Sequence, residues 1–261
     1  MKIALIAEYD GSAYCGWQRQ GESPTVQRAL EQALSFVAAH PVKVTAAGRT
    51  DAGVHASGQV LHIDTEAERP EHAWLFGANS RLPSDIALRW CSPVADDFNA
   101  RYSAQSRSYR YLVLNRPLRS GLWQNRSAWE CRPLDAPRMH EAAQALLGEH
   151  DFSAFRAAGC QARTPVRRVL RITVERHADL VVLDITANAF LHNMVRIIAG
   201  SLLCTGRGER PAAWIGKLLQ GRDRRAAGAT APAQGLYLSA VSYPERFAIP
   251  RLHGIDRFLI I

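Results

Sequence analysis

Between Lys2 and Tyr9 almost every position is apolar, and the run stops at Asp10-Gly11, a turn signal, so the chain opens with a strand. A polar stretch, SAYCGWQRQGES, follows. From Ser23-Pro24 the apolar spacing changes: Val26, Ala29, Leu30, Ala33, Leu34 and Val37 recur every three or four residues. This predicts a helix over roughly Pro24 to Ala39, with Ser23 as N-cap and proline in its first turn. Val42-Lys43-Val44-Thr45 alternates as a strand does, and Gln59 to Ile63 is apolar and β-branched enough to be another. Residues 70–80 read as a helix and IALRWCSPV as a strand. The order is β-α-β-β-α-β, the split-βαβ or ferredoxin-like unit.

Beyond Pro93 the order repeats. SYRYLVLN is a strand, Asp135 caps a helix running through Met139, Ala142, Ala143, Leu146 and Leu147, and VRRVLRITVE with LVVLDITANAF forms an antiparallel pair. Helices near His192 to Cys204 and Ala212 to Leu219, then the strand GLYLSAVSY, complete it. The expected fold class is therefore α+β: two ferredoxin-like halves, 1–104 and 105–261, with mostly antiparallel sheets side by side and a basic active-site cleft between them.

Composition sharpens the picture in one respect. The chain has 261 residues and a net charge of +8, and all but three of its 32 basic residues are arginine, whose planar fork matches phosphate oxygens. Such a balance suits a polyanion as partner. Arg101, Arg107 and Arg110 interleave with Tyr102, Tyr109 and Tyr111, while Arg163, Arg167, Arg168 and Arg171 form a second cluster. Phosphates need charge and bases need flat faces, so both clusters are candidates for a nucleic-acid strand. A solvated basic face would give a similar string. The five cysteines are scattered with no C-x-x-C spacing, which reads as mostly buried, reduced thiols, and the histidines form no metal-binding pair. No stretch approaches the ~20 apolar residues of a membrane span and no signal-peptide pattern opens the chain, so the expected location is the cytoplasm.

The candidate chemistry lies in AAGRTDAGVHASGQV, residues 46–60, where Arg49 and Asp51 stand one residue apart, fenced by Gly48 and Gly53. A plain hairpin needs no charges there. An aspartate partly removed from water stays ionised only beside a cation, and arginine is the cation that keeps its charge. Asp51 as a simple turn former is the plainer alternative, and His55 and His192 read as structural hydrogen-bonders.

GRTDAGVHASGQV, together with YCGWQRQ, SRSYRY and FLHNMVRIIAG, closely resembles the bacterial tRNA pseudouridine synthase A family, and the likeness spans nearly the whole chain. The one departure noted is Tyr102, where a phenylalanine is common. The resemblance implies isomerisation of uridine to pseudouridine at positions 38, 39 and 40 of the tRNA anticodon stem-loop, without a cofactor or metal, by a homodimer. It implies Asp51 as the catalytic residue, Tyr109 stacked on the target base, Arg49 in taking the nucleotide out of the helix, and Arg196 paired with the catalytic aspartate. It further implies tRNA contacts from Phe98, Asn99, Ala100, Arg101 and Tyr102, with Arg101 foremost, and from Gly159, Cys160, Gln161, Ala162 and Arg163.

Read from residues alone, Tyr109 is equally a strand residue packing into the core beside Tyr111. Arg196 lies on an apolar helix, where an unpaired charge is costly, so a buried partner is expected. Two rival functions remain in view. A non-catalytic RNA-binding protein of two RRM-like sheets shares topology and charge but lacks an RNP1-like aromatic run. A nucleotide phosphotransferase lacks a phosphate-binding G-x-x-x-x-G-K-[ST] loop and paired metal-binding carboxylates.

Overall fold

The computed structural model describes residues 1–252, so the end of the expected second half, 253–261, lies outside the described residues. The chain forms two compact units. The first is Met1–Arg107 with the chain from Tyr237 onward, and the second is Ser108–Leu236.

In the first unit, β1 (Lys2–Tyr9) is the central strand, with antiparallel β3 (His55–Asp64) on one side and antiparallel β4 (Ile86–Val94) on the other. Its apolar run is buried throughout, Ile3 to Ala7 at 2% exposure or less. Helices α1 (Val26–Ala38) and α2 (Glu71–Asn79) pack on each other, and α2 packs on β4. They bury Leu30, Leu34 and Trp74. The strand expected at Val42–Thr45 shrinks to β2, Thr45–Ala46, paired with β3 at His62 and Leu61. The alternation was real but reports burial rather than pairing. Val42 and Val44 point inward, and their N–H groups donate to the Ser35 hydroxyl (3.0 Å) and the Glu31 carboxylate (3.1 Å) of α1 instead of to a ladder. The far end of the same edge of β3 is taken by β10 (Leu236–Ser242), which runs parallel to it with Tyr237 opposite His55 and Leu238 opposite Ala56.

The start of α1 also differs from expectation. Thr25, not Ser23, is the N-cap residue, and it makes no side-chain cap. The N–H groups of Val26 and Gln27 donate instead to the carbonyls of Gly16 (3.3 Å) and Trp17 (3.0 Å), so the YCGWQ segment caps the helix through its backbone.

In the second unit, β5 (Ser106–Asn115, inside the unit from Ser108), β6 (Ala128–Glu130), β7 (Gly148–Asp151), β8 (Val166–His177) and β9 (Leu180–Ala187) form a sheet ordered β5-β9-β8-β7, with β6 parallel to β5. The β8–β9 hairpin is antiparallel as its two sequence runs predict. Helix α3 (Ala136–Gln144) packs on β8 and on α4 (Met194–Gly206), and α5 (Trp214–Gly221) packs on both helices. Asp135 caps α3 as expected, its carboxylate accepting from the Arg138 N–H at 2.9 Å. The short strands β6 and β7 were not expected. At three and four residues, with GEHD almost wholly polar, they carry no periodicity of their own.

All five cysteines are free thiols. Contrary to expectation only Cys91 is buried; Cys15 and Cys131 are exposed and the other two half-buried. Among the described residues no helix is long and apolar enough to cross a membrane, and no three His, Cys, Asp or Glu side chains gather as a metal site requires.

An ion network fastens β6 to the end of α4. Glu130, 9% exposed, accepts from Arg132 Nε (3.0 Å) and Arg207 Nη1 (3.0 Å), and both arginines also reach Glu209. Burial alone would raise the Glu130 carboxyl, but the Arg132 and Arg207 donors outweigh it and hold it below its ordinary 4.5. A carboxylate with a lowered native pKa stabilises the fold above its ordinary value and loses that contribution as the pH falls through the native one. Glu130→Gln should therefore cost about 1–2 kcal/mol near neutrality, because it takes one of two charged partners from Arg207, which keeps Glu209. It should also flatten the loss of stability below about pH 4.5, measured by urea unfolding at stepped pH. A variant with the wild-type pH slope would show that other carboxylates carry that slope.

Candidate active site

The loop from Ala47 to Val54 connects β2 to β3 and carries Arg49-Thr50-Asp51. Inside it the Val54 N–H donates to the Asp51 carbonyl at 3.1 Å, with Gly53 at φ +75°. Other segments of the first unit fix the rest of its backbone. The Gly48 carbonyl accepts from Gln59 Nε2 at 2.6 Å, the Thr50 carbonyl from the Trp17 N–H at 2.9 Å, and the Ala47 N–H donates to Val60 at 2.8 Å. The Thr50 hydroxyl, in a residue 6% exposed, bonds the Tyr9 hydroxyl at 2.8 Å.

Gly16 sits against this loop at φ +92°, and a Cβ there would lie 2.8 Å from the Thr50 carbonyl oxygen. Only glycine accommodates both the dihedral and the approach. Gly11 makes a similar close approach on the other limb, where a Cβ would collide with the Val54 carbonyl, and its N–H donates to His55 Nδ1 at 3.0 Å. His55, buried and stacked on Tyr237 at 4.6 Å, belongs to this bracing, as its plain structural reading held.

With Thr50 drawn inward, its two neighbours face elsewhere. Arg49 is exposed and Asp51 half-buried. This is why the charged pair is separated by one residue: the threonine between them is the anchor.

The segment 98–102 forms a turn in the same unit. Phe98, 1% exposed, packs its ring against Tyr243 and Phe247, each at 5.1 Å, and Ala100 is fully buried, so these two residues root the turn in the core. Asn99 Oδ1 accepts from the N–H groups of Arg101 (3.0 Å) and Tyr102 (3.1 Å). The Ala100 N–H donates to His62 Nδ1 at 3.1 Å and its carbonyl accepts from the Tyr243 hydroxyl at 2.6 Å. Burial, then the Lys2 charge, pushes His62 below its ordinary value, which keeps the acceptor nitrogen available. What the turn presents outward is Arg101 and Tyr102, the latter 78% exposed with the Arg101 guanidinium 5.4 Å from its ring centre.

In the second unit, Tyr109 is 9% exposed and meets Phe190 edge to face at 5.0 Å, while Tyr111 is wholly buried with its hydroxyl on the Pro232 carbonyl at 2.8 Å. Tyr111 is thus the core residue of the pair, and Tyr109 stands at the margin of the core. Arg196, in the first turn of α4, donates through Nε to the Ala231 carbonyl (2.8 Å) and through Nη1 to Asn193 Oδ1 (2.9 Å). In 159–163, Gly159 takes φ +79° and Arg156 ties the loop by donating to the carbonyls of Cys160 (2.6 Å) and Ala162 (2.9 Å). Gly159, Gln161 and Arg163 are exposed, and Cys160 and Ala162 half-buried.

The interleaved arginines and tyrosines do not form one outward patch. Arg110 is clamped bidentately by Asp184 at 2.8 and 2.7 Å, and Arg107 donates to backbone carbonyls of its own unit. Strand alternation explains this, since the residues share a string but not a face. Of the second cluster, Arg168 and Arg171 are exposed, whereas Arg167 is turned onto the carbonyls of Thr164 and Val166. Tyr9, Trp17 and Gln59 are the supporting residues that sequence reasoning passed over. A glutamine inside an apolar strand was the available signal for one of them.

A family model described as tRNA pseudouridine synthase matches residues 5–103 and 142–244. The chain belongs to the tRNA pseudouridine synthase family. A relative named tRNA pseudouridine synthase A from Vibrio campbellii is 55% identical over 252 residues, 97% of this chain and 96% of its own. Another of that name from Escherichia fergusonii is 56% identical over 250 residues, 96% and 93% of the two chains, and one from Hydrogenovibrio crunogenus is 52% identical over 250 residues, 96% and 95%. For a pseudouridine synthase of this family, the braced Asp51 loop is the feature that sequence and geometry both single out.

Tyr9→Phe tests the bracing. It leaves the Thr50 hydroxyl buried without this partner and should cost about 1 kcal/mol in urea unfolding. Amide exchange across residues 50–54 should also accelerate. Exchange unchanged there would mean that backbone bonds alone hold Thr50.

Proposed function

We propose that this chain is a tRNA pseudouridine synthase that isomerises uridine to pseudouridine at positions 38, 39 and 40 of the tRNA anticodon stem-loop. The observation that carries the reading is the loop itself: an aspartate and an outward arginine flanking a buried threonine, on backbone fixed from four directions, in a chain of this family.

The N1–C1′ glycosidic bond breaks, the uracil rotates, C5 joins C1′, the C5 hydrogen leaves as a proton, and N1 takes up a proton. The reaction is redox-neutral and needs no cofactor. Asp51 is the catalytic residue. One carboxylate aimed at the sugar serves attack at C1′, addition to the base at C6, or removal of the C2′ proton, and all three routes require it in the same place.

A base in a stem must leave its stack before the bond can be reached, and Arg49, exposed on the loop, is suited to fill the vacated space. Tyr109 offers a flat face that keeps the loose uracil from diffusing away between bond breaking and bond making. Its edge-on contact with Phe190 supports a fixed ring orientation. Arg196, already oriented by Ala231 and Asn193, is the cation we assign to the catalytic carboxylate. Arg101 and Tyr102, with 159–163 ending at Arg163, are assigned to the tRNA backbone and exposed bases. A homodimer sharing one tRNA, in the cytoplasm where tRNA is modified, completes the reading.

Tritium release from [5-³H]uridine tRNA tests it, because forming the C5–C1′ bond must expel the C5 hydrogen. Wild type should release tritium without added metal or nucleotide. Asp51→Asn should bind tRNA nearly as well and release none. Retained release would remove Asp51 from the mechanism, and no release by wild type with binding intact would favour an RNA-binding module. Tyr109→Phe should keep most activity, while Tyr109→Leu should lose at least about tenfold in rate with a smaller change in binding. Two variants indistinguishable from wild type would make Tyr109 a packing residue.

A further inference from the structure

Arg107 joins two segments of the first unit. Its Nε and Nη2 both donate to the Ala47 carbonyl, at 3.2 and 2.9 Å, and the same Nη2 donates to the Arg101 carbonyl at 2.7 Å. Ala47 is the first residue of the Asp51 loop and Arg101 the outward residue of the 98–102 turn. We propose that Arg107 is a positioning residue that couples this turn to the base of the Asp51 loop, so that RNA held by the turn fixes where Asp51 sits.

Three features support a strut rather than another phosphate contact. Arg107 is half-buried and its Nε and Nη2 donate to carbonyl oxygens, whereas Arg101 beside it is exposed. The turn is otherwise rigid: its backbone is held by Asn99, His62 and Tyr243, so a force on Arg101 or Tyr102 moves the turn as a body. On the loop side the Ala47 carbonyl stands next to Gly48, which Gln59 holds, so the Arg107 bonds are one of the fixed points from which Arg49 and Asp51 are set, and losing them loosens that end of the loop. The guanidinium matters because its outer nitrogen Nη2 reaches both carbonyls while Nε adds a second bond to Ala47. A lysine places its Nζ about where the guanidinium carbon sits, one bond short of Nη2, and has no Nε donor.

The inference rests on the proposed function for what the loop does, and the test separates the two. Wild type, Arg107→Lys, Arg101→Ala and the double variant are compared in single-turnover tritium release at saturating tRNA and in tRNA binding. Arg107→Lys should slow the saturating rate at least about tenfold while Kd changes less than about threefold, and Arg101→Ala should lower both affinity and rate. In the Arg107→Lys background, Arg101→Ala should weaken binding by the same factor but no longer slow the chemistry. Rate effects that simply multiply, or an Arg107→Lys enzyme as fast as wild type, would overturn the coupling.

If wild type releases no tritium the functional reading fails, and the strut is judged by amide exchange alone. There, binding of an anticodon stem-loop RNA should protect residues 47–54 in wild type and not in Arg101→Ala at saturating RNA. That comparison also serves if Arg107→Lys does not fold. Equal protection in the two proteins would sink the proposal.

Discussion

A loop outside any ladder leaves its carbonyls and amides without partners unless other parts of the chain supply them, and each buried polar group left unmade costs about 1–3 kcal/mol. Ala47, Gly48 and Thr50 are met by Arg107, Gln59 and Trp17. That demand accounts for features that look unrelated in sequence. Gln59 is wholly buried in β3 because its amide must reach Gly48. Gly16 is glycine because the chain must pass against Thr50 with positive φ. The same Gly16-Trp17 backbone terminates α1, so the helix needs no side-chain cap and Thr25 makes none. One short segment therefore fixes both a helix end and the loop that carries Asp51.

The arginine excess divides along similar lines. Arg107, Arg110, Arg156, Arg196 and Arg207 direct donors to carbonyls, amides or carboxylates inside the fold. Lysine does this less well, because it offers one compact ammonium in place of a planar fork of five N–H donors. Arg49, Arg101, Arg163, Arg168 and Arg171 remain exposed. The net charge of +8 thus has two sources, and the exposed arginines, these five among them, are the ones placed to meet a polyanion.

Periodicity revealed what depends on local pattern. The long strands and the five α-helices among the described residues were legible because their burial follows spacing: β1 and β4 run where the apolar runs do, and Asp135 caps α3 through its own side chain. What escaped depends on partners far along the chain. Val42 and Val44 read as a strand because they alternate in burial, yet α1 side chains take their N–H groups. Helix α4 begins at Met194, two residues late, because Asn193 takes φ +59°. The string of Arg101, Arg107, Arg110 and three tyrosines looked like one surface, but only the structure separates a clamp on Asp184 from a strut on Ala47 and an exposed side chain. At the site, Arg49 and Asp51 were legible from the motif, while the inward turn of Thr50 that separates them was not.

The division between fixed and moving parts follows from the chemistry. In a redox-neutral isomerisation the uracil must come loose, rotate and rejoin the same sugar, so the rate depends on holding the sugar and the reacting carboxylate still while the base turns. A carboxylate on a pliant loop would lose that advantage through its own motion. The cost of rigidity is met by residues that touch no substrate: the Tyr9–Thr50 hydroxyl pair, the Gln59 amide and the Trp17 N–H are all local to the first unit. Arg49 lies on the same stiff segment with its side chain in solvent, so under the proposed function an arm that follows the RNA and a carboxylate held by the braces stand two residues apart on one backbone. The buried threonine between them lets a single loop meet both requirements.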